Sequence, residues 1–207
     1  GGQVNPITGL DIRLREIVPK LREIQPELIV ADRTVGGPYE NYVTPEMTIP
    51  DKPMHIPWES CLTMGQSFAY RYDDTYKTAE EIVHLLIEII CKGGNLALNI
   101  APEPSGRLPR PAVEQLQPLG RWMKRYGEAV YGTRICAPYK TEQAAFVQKN
   151  RTIYIFVMAK GGAFPEAAIL PCAGIQSVTA VHGGGAVPFE TAGDGIQILR
   201  EHLPLDS

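Results

Sequence analysis

The residues most able to do chemistry in this chain cluster between Asp32 and Glu59. An apolar run at 28–31 leads into Asp32-Arg33. A loop then carries Gly36-Gly37, Tyr39, Glu40, Tyr42 and Glu46, and a short step later come Trp58 and Glu59. Arginine, carboxylates and aromatic rings held close together suit a sugar site. Rings pack on the apolar faces of a pyranose, charged groups hold its hydroxyls, and a carboxyl pair can run glycosidic cleavage. Cleavage with retention needs two carboxyl groups about 5–5.5 Å apart, one attacking and one donating a proton.

Such a loop needs elements to hold it. Leu10, Leu14, Ile17, Val18, Leu21 and Ile24 recur at spacings of three and four, which predicts an amphipathic helix bent or restarted at Pro19. After Pro26, residues 28–31 read as a buried strand. The C-terminal ends of such strands carry the chemistry in α/β folds, and that is where Asp32 and Arg33 fall. Pro45, Pro50, Pro53 and Pro57 argue against regular structure from 45 to 57. Residues 58–63 read as a second strand. Thr78 and Glu81 form a capping box ahead of an almost uniformly apolar helix that Gly93-Gly94 closes. Residues 95–100 read as a third strand, too apolar to be half-exposed. Pro111 opens a last helix ending at Gly127, which Pro118 kinks or splits.

Beyond about residue 135 the texture changes. Short β-type runs at 144–148, 152–159, 167–170, 178–182 and 195–199 alternate with turn signals, the pattern of an antiparallel sandwich or part of one. The expected division is therefore 1–135 and 136–207. The first part holds too few strand candidates for a closed (β/α)8 barrel, which takes about 250 residues. It is a small open sheet or the back portion of a larger barrel.

Composition excludes several classes. The 207 residues are 44% hydrophobic and 21% charged with a net charge of −3, which offers no basic field for nucleic acid or anionic membrane. The longest strongly apolar run, at 82–91, is too short to span a bilayer, which takes about 20 residues. Residues 1–20 show no signal-peptide pattern. The four cysteines are scattered and read as buried free thiols rather than a disulfide framework. The four histidines lack metal-ligand spacing, so neither a metal nor another cofactor is expected.

With these residues in hand, the chain resembles the α-L-fucosidases of glycoside hydrolase family 29. The likeness rests on Asp32-Arg33, on 42–46 (Tyr-Val-Thr-Pro-Glu), on 57–60 (Pro-Trp-Glu-Ser) and on 63–70 (Thr-Met-Gly-Gln-Ser-Phe-Ala-Tyr). It continues in 92–102 (Lys-Gly-Gly-Asn-Leu-Ala-Leu-Asn-Ile-Ala-Pro), in Gly120-Arg121-Trp122 and in 127–133. The resemblance implies an irregular (β/α) TIM-like barrel, present here as its C-terminal portion, followed by a small antiparallel β-sandwich or part of one. It implies retaining hydrolysis of terminal α-L-fucosyl residues, a fucosylated glycan or glycoconjugate as partner, and a secreted, periplasmic or lysosomal-type setting. The oligomeric state stays open. An aspartate at the end of a barrel strand is the family nucleophile, commonly followed by Gly-Gly. Because the chain opens on Gly1-Gly2, the implied nucleophile lies just ahead of Gly1, and these 207 residues alone are expected to be inactive.

The resemblance also distributes roles. Glu46 is the candidate acid/base, against a plain solvated loop carboxylate. Glu59 is its rival, or a sugar-hydroxyl contact, or a structural partner of Arg33 or Arg71. Arg33 matches an arginine that reaches the sugar, against a rim salt bridge. Phe68 is expected to form the apolar wall for the 6-deoxy methyl group and Trp58 a second surface, with core packing as the other reading of both. Asn95 and Asn99 are expected to be satisfied internally. Two other functions remain: a non-catalytic carbohydrate-binding or structural fragment, and a barrel hydrolase of another sugar specificity. If the chain stands without its missing strands, the apolar helix at 82–91 is expected to be exposed and solubility poor.

Overall fold

A computed structural model of the chain describes residues 11–31, 37–159 and 163–204. The first helix, α1 (Leu14–Ile24), keeps Pro19 inside it and buries only Val18, so its apolar stripe stays largely open, with Ile24 84% exposed. The chain then lays down parallel segments side by side. The central pair is β1 (Trp58–Thr63) and β2 (Gly94–Asn99), running from Trp58↔Gly94 to Thr63↔Asn99. On the other side of β1 lies the 43–47 segment, bridged in parallel through Val43↔Trp58 and Glu46↔Cys61. Pro45 fits there because a ladder position can be filled by an acceptor alone: the Cys61 N–H donates to its carbonyl at 3.2 Å. Within 45–57 the only pairing among the described residues is the isolated bridge at Glu46, and the stretch otherwise holds no helix or strand, as its prolines predict.

The expected buried strand at 28–31 is corrected. It makes a single bridge, Ala31↔Tyr42, and Ile29 is 69% exposed, because among the described residues nothing pairs with its outer edge. The expectation for β2 is corrected too. Most of it is half-buried and Asn95 is exposed, since helices cover one face only.

Between β1 and β2 runs α2 (Ala79–Cys91), capped as expected. The Thr78 side chain accepts from the Glu81 N–H, and the Glu81 carboxylate accepts from the Thr78 N–H. Lys92 is the C-cap and Gly93, at φ +83°, makes the left-handed exit that a side chain rarely tolerates. Helix α3 (Arg110–Tyr126) carries Pro111 in its first turn and runs unbroken through Pro118.

Six antiparallel strands follow: β3 (Arg134–Lys140), β4 (Ala144–Lys149), β5 (Thr152–Val157), β6 (Ala167–Leu170), β7 (Glu190–Ala192) and β8 (Gly195–Leu199). They form sheets ordered β3-β4-β5 and β6-β8-β7. The run at 178–182 is not a strand; it enters a turn closed by one bridge, Thr179↔Ala186. Strand β3, interrupted by Pro138 and a register shift, and the three-residue β7 gave no clear period-two signal.

Strand β4 explains how the molecule holds together. Its alternate residues Ala144 and Phe146 enter a core shared with Ala168, Leu170, Ile196 and Ile198 of the second sheet. Ala145 and Val147 point the other way, onto Val83, Ile87, Ile90 and Cys91 of α2. The expected exposure of the apolar helix is thereby corrected. Helix α2 is sandwiched between its own sheet, α3 and β4, and the poor solubility built on its exposure loses that basis. All four cysteines are free, and burial pushes the Cys91 thiol up to about 11.

Glu88 ties the layers electrostatically. It pairs with Lys92 at 2.5 Å and with Lys140 of β3. Burial alone would push its carboxyl up, but hydrogen bonds and charge from Lys140 and Lys92 outweigh burial and hold it below the ordinary range. The folded state therefore binds this proton less tightly than the unfolded chain does. The resulting stability is present above the unfolded value of about 4.3 and is lost as pH falls through the lowered folded value. Thermal melts between about pH 3 and 6 are expected to depend less on pH in Glu88→Gln than in the parent. Parallel curves for the two proteins would contradict this.

Candidate active site

Parallel register decides which side chains share a face. Val43, Trp58, Leu62 and Leu96 all pack into the cluster with Leu85 and Ile89 of α2, so they mark the helix-facing side. Alternation then sends Glu59, Cys61 and Thr63 of β1, and Asn95, Ala97 and Asn99 of β2, to the opposite side. Glu46 lies opposite Cys61, so it joins this second face. The structure thus brings both candidate carboxylates to one side of the sheet. Glu46 is exposed near the carboxyl end of the parallel segments, and Glu59 is half-buried one pleat repeat back. The register separates their backbones by about 7 Å along the strands and about 5 Å across them.

Met47 follows Glu46 in the left-handed region at φ +54°, a costly state for a non-glycine residue. It is held by the Met47 N–H donating to the Cys61 carbonyl at 2.9 Å. The ladder with β1 ends there, but the loop stays against the strand. Farther on, the Ser60 hydroxyl donates to the Thr48 carbonyl, and the buried Lys92 ammonium donates to the Pro50 carbonyl at 2.8 Å. The loop beyond Glu46 is therefore pinned at successive points.

At the carboxyl end of β1 the next loop folds back on itself. The Asp74 carboxylate accepts from the N–H groups of Gln66 and Thr75, and an added Cβ at Gly65 would fall 2.1 Å from that carboxylate. The Lys77 ammonium donates to the Thr63 carbonyl at 2.8 Å. Between this loop and Met47 lies a cleft of about 450 Å³, lined among others by Thr63, Gln66, Thr75, Tyr76 and Lys77. Burial first, then the charges of Asp74, Tyr70 and Glu103, push the Tyr76 phenol up, so it stays a neutral hydrogen-bonding group.

The remaining candidates fall in different places. Phe68 lies on the folded-back loop, 40% exposed. Trp58 does not match its expected role as a second sugar surface. It is 1% exposed, and its ring fills the space over Gly94, where an added Cβ would lie 2.4 Å from the indole; its Nε1–H donates to the Lys92 carbonyl at 3.3 Å. The odd–even alternation of β1 turns it toward α2, away from Glu59. Arg33 and Asp32 lie outside the described residues. Asn95 is satisfied by the Trp58 carbonyl at 3.2 Å, whereas the buried Asn99 Oδ1 has no partner among the described residues. Sequence reasoning missed the cleft residues Thr75, Tyr76 and Lys77. They carry no motif and are placed by the Asp74 turn and by the bonds of Lys77 to the Thr63 and Met64 carbonyls.

The chain matches a family model described as alpha-L-fucosidase over residues 6–128. Among curated proteins it is 41% identical over 80 residues to plasma alpha-L-fucosidase of Rattus norvegicus, covering 37% of this chain and 17% of that protein. It is 30% identical over 111 residues to alpha-L-fucosidase of Branchiostoma floridae, covering 49% and 24% respectively. Its fold is similar to alpha-L-fucosidase isoenzyme 1 from Paenibacillus thiaminolyticus, with a TM-score of 0.83 at 24% identity over 94% of this chain and 51% of that one. It is also similar to the Thermotoga maritima alpha-fucosidase solved in complex with fucose, with a TM-score of 0.76 at 26% identity over 94% and 46%. The chain thus spans about half the length of these solved structures and about a fifth of the curated relatives.

Proposed function

The chain belongs to the α-L-fucosidase family, and on that premise we propose that it supplies the acid/base side of a retaining α-L-fucosidase site. The observation that carries this is the shared face: Glu46 and Glu59 lie on the same side of the parallel segments, Glu46 toward their carboxyl end and Glu59, the second residue of β1, farther back. In the first step the Glu46 carboxyl gives its proton to the glycosidic oxygen as the bond from that oxygen to C1 breaks. A carboxylate from a part of the fold outside the described residues bonds to C1. In the second step Glu46, now a carboxylate, takes a proton from water as the water oxygen bonds to C1 and releases the enzyme ester. Glu59, deeper on the same face, is the sugar-hydroxyl contact, and Arg33 is a second one. In this reading, residues 1–135 are the back portion of a (β/α) barrel and 136–207 a β-sandwich domain. The partner is a fucosylated glycan, in a secreted or lysosomal-type setting like that of the plasma enzymes it resembles.

Phe68 is the wall for the sugar methyl group, half-open on its loop. Phe68→Ala is expected to raise KM for α-L-fucosides about tenfold and to leave an analogue without the methyl group unaffected, since one lost apolar contact is worth about 1–3 kcal/mol. Equal effects on both sugars would remove Phe68 from the site.

The function is tested with two samples: the 207 residues alone, and the same residues joined to the α/β segments that precede them in the relatives. Only the joined protein is expected to hydrolyse 4-nitrophenyl α-L-fucoside, with retained configuration by NMR. Turnover by the 207 residues alone would show that the attacking group lies within them. Better cleavage of a galactoside would overturn the sugar assignment.

A further inference from the structure

The loop that carries Glu46 is fastened by a buried lysine, the C-cap of α2. Lys92, only 8% exposed at its side chain, donates to the Pro50 carbonyl at 2.8 Å and pairs with Glu88 at 2.5 Å. Its own carbonyl accepts from Trp58 Nε1. Glu88 receives a second cation, Lys140, from β3 of the antiparallel sheet. A buried ammonium is costly unless paired; here one lysine answers to a helix carboxylate on one side and a loop carbonyl on the other. Pro50 lies only four residues beyond Glu46, and Pro45 and Pro50 both restrict the backbone between. Ile49, packed on Trp58, Leu62 and Ile89, turns the same stretch inward. Fixing the carbonyl at 50 therefore limits how far Glu46 can travel.

We propose that Lys92 is a positioning residue for the Glu46 loop, and that Lys140, reaching across from the antiparallel sheet, sets it through Glu88. The second part of the chain thereby holds the catalytic loop of the first through a Lys140–Glu88–Lys92–Pro50 relay. That this loop bears the proton donor rests on the fucosidase reading. That the relay holds the loop does not, and the test below requires no turnover.

The Met47 amide, hydrogen-bonded to the Cys61 carbonyl, reports loop opening by hydrogen exchange in the 207-residue chain. Lys140→Met, at a side chain 39% exposed, is expected to speed Met47 exchange about two- to fivefold. Lys92→Met removes a charged, buried hydrogen bond and is expected to speed it by roughly tenfold or more. Amides of β5 keep their rates in Lys140→Met, and Lys140→Arg restores the parent rate at Met47. Unchanged Met47 exchange in folded Lys140→Met overturns the relay. So does an equal rise across β5, which would make the effect general loss of stability, or failure of the arginine to rescue. If Lys92→Met does not fold, the Lys140 pair of variants decides the matter alone.

Discussion

Replacing Glu46 by glutamine in the joined protein is expected to lower kcat on α-L-fucosides with poor leaving groups by about 10²–10⁴, the range for loss of a positioned general acid–base group. The motive is its place on the Glu59 face, in register with Cys61. The loss should shrink for fucosylation with 2,4-dinitrophenyl fucoside, whose leaving group departs without a proton. Added azide should restore turnover, because that nucleophile needs no general base. Glu59→Gln is the control: as a hydroxyl contact it should weaken kcat/KM with little dependence on the leaving group. If instead the leaving-group dependence appears in Glu59→Gln and is missing in Glu46→Gln, the two roles are exchanged.

Replacing Trp58 by alanine is expected to cost about 3–5 kcal/mol of stability, the range for a fully buried large aromatic. Trp58 is 1% exposed, fills the space over Gly94 and donates its indole N–H to the Lys92 carbonyl. A double-mutant cycle sharpens the test. Gly94→Ala alone drives a methyl to within 2.4 Å of the ring and is expected to destabilise by about 1–3 kcal/mol. With Trp58 already removed, the same methyl enters vacated space and its cost should largely vanish. Urea unfolding of the four proteins measures this. Additive effects, or a Trp58→Ala protein of parent stability, would return Trp58 to the sugar surface.

Several elements were legible because their signals are local. The Thr78–Glu81 capping box, Gly93 at the helix exit and Pro111 in the first turn of α3 are one-turn chemistry, and the structure has all three. Strand β1 was bounded correctly, by Pro57 before it and the glycine-containing loop after it. The failures were of a different kind. Burial of 28–31 and of both faces of β2 depends on what lies beside them, which no local pattern states. The prolines from 45 to 57 do keep that stretch out of helix and strand, but the use of the Pro45 carbonyl by Cys61 is a pairing fact that no local pattern states.

The sequence by itself determined the family, the residue types of a sugar site and the two textures of the chain, because motifs and periodicity are written in neighbouring residues. Tertiary structure alone decided which of them meet. The strand register placed Glu46 and Glu59 on one face and turned Trp58 to the other. The two-sided burial of β4 covered the apolar helix expected to face solvent. And only the fold set Lys140 beside Glu88, 52 residues earlier in the chain, because a contact at that separation is chosen by packing rather than by anything adjacent in the sequence.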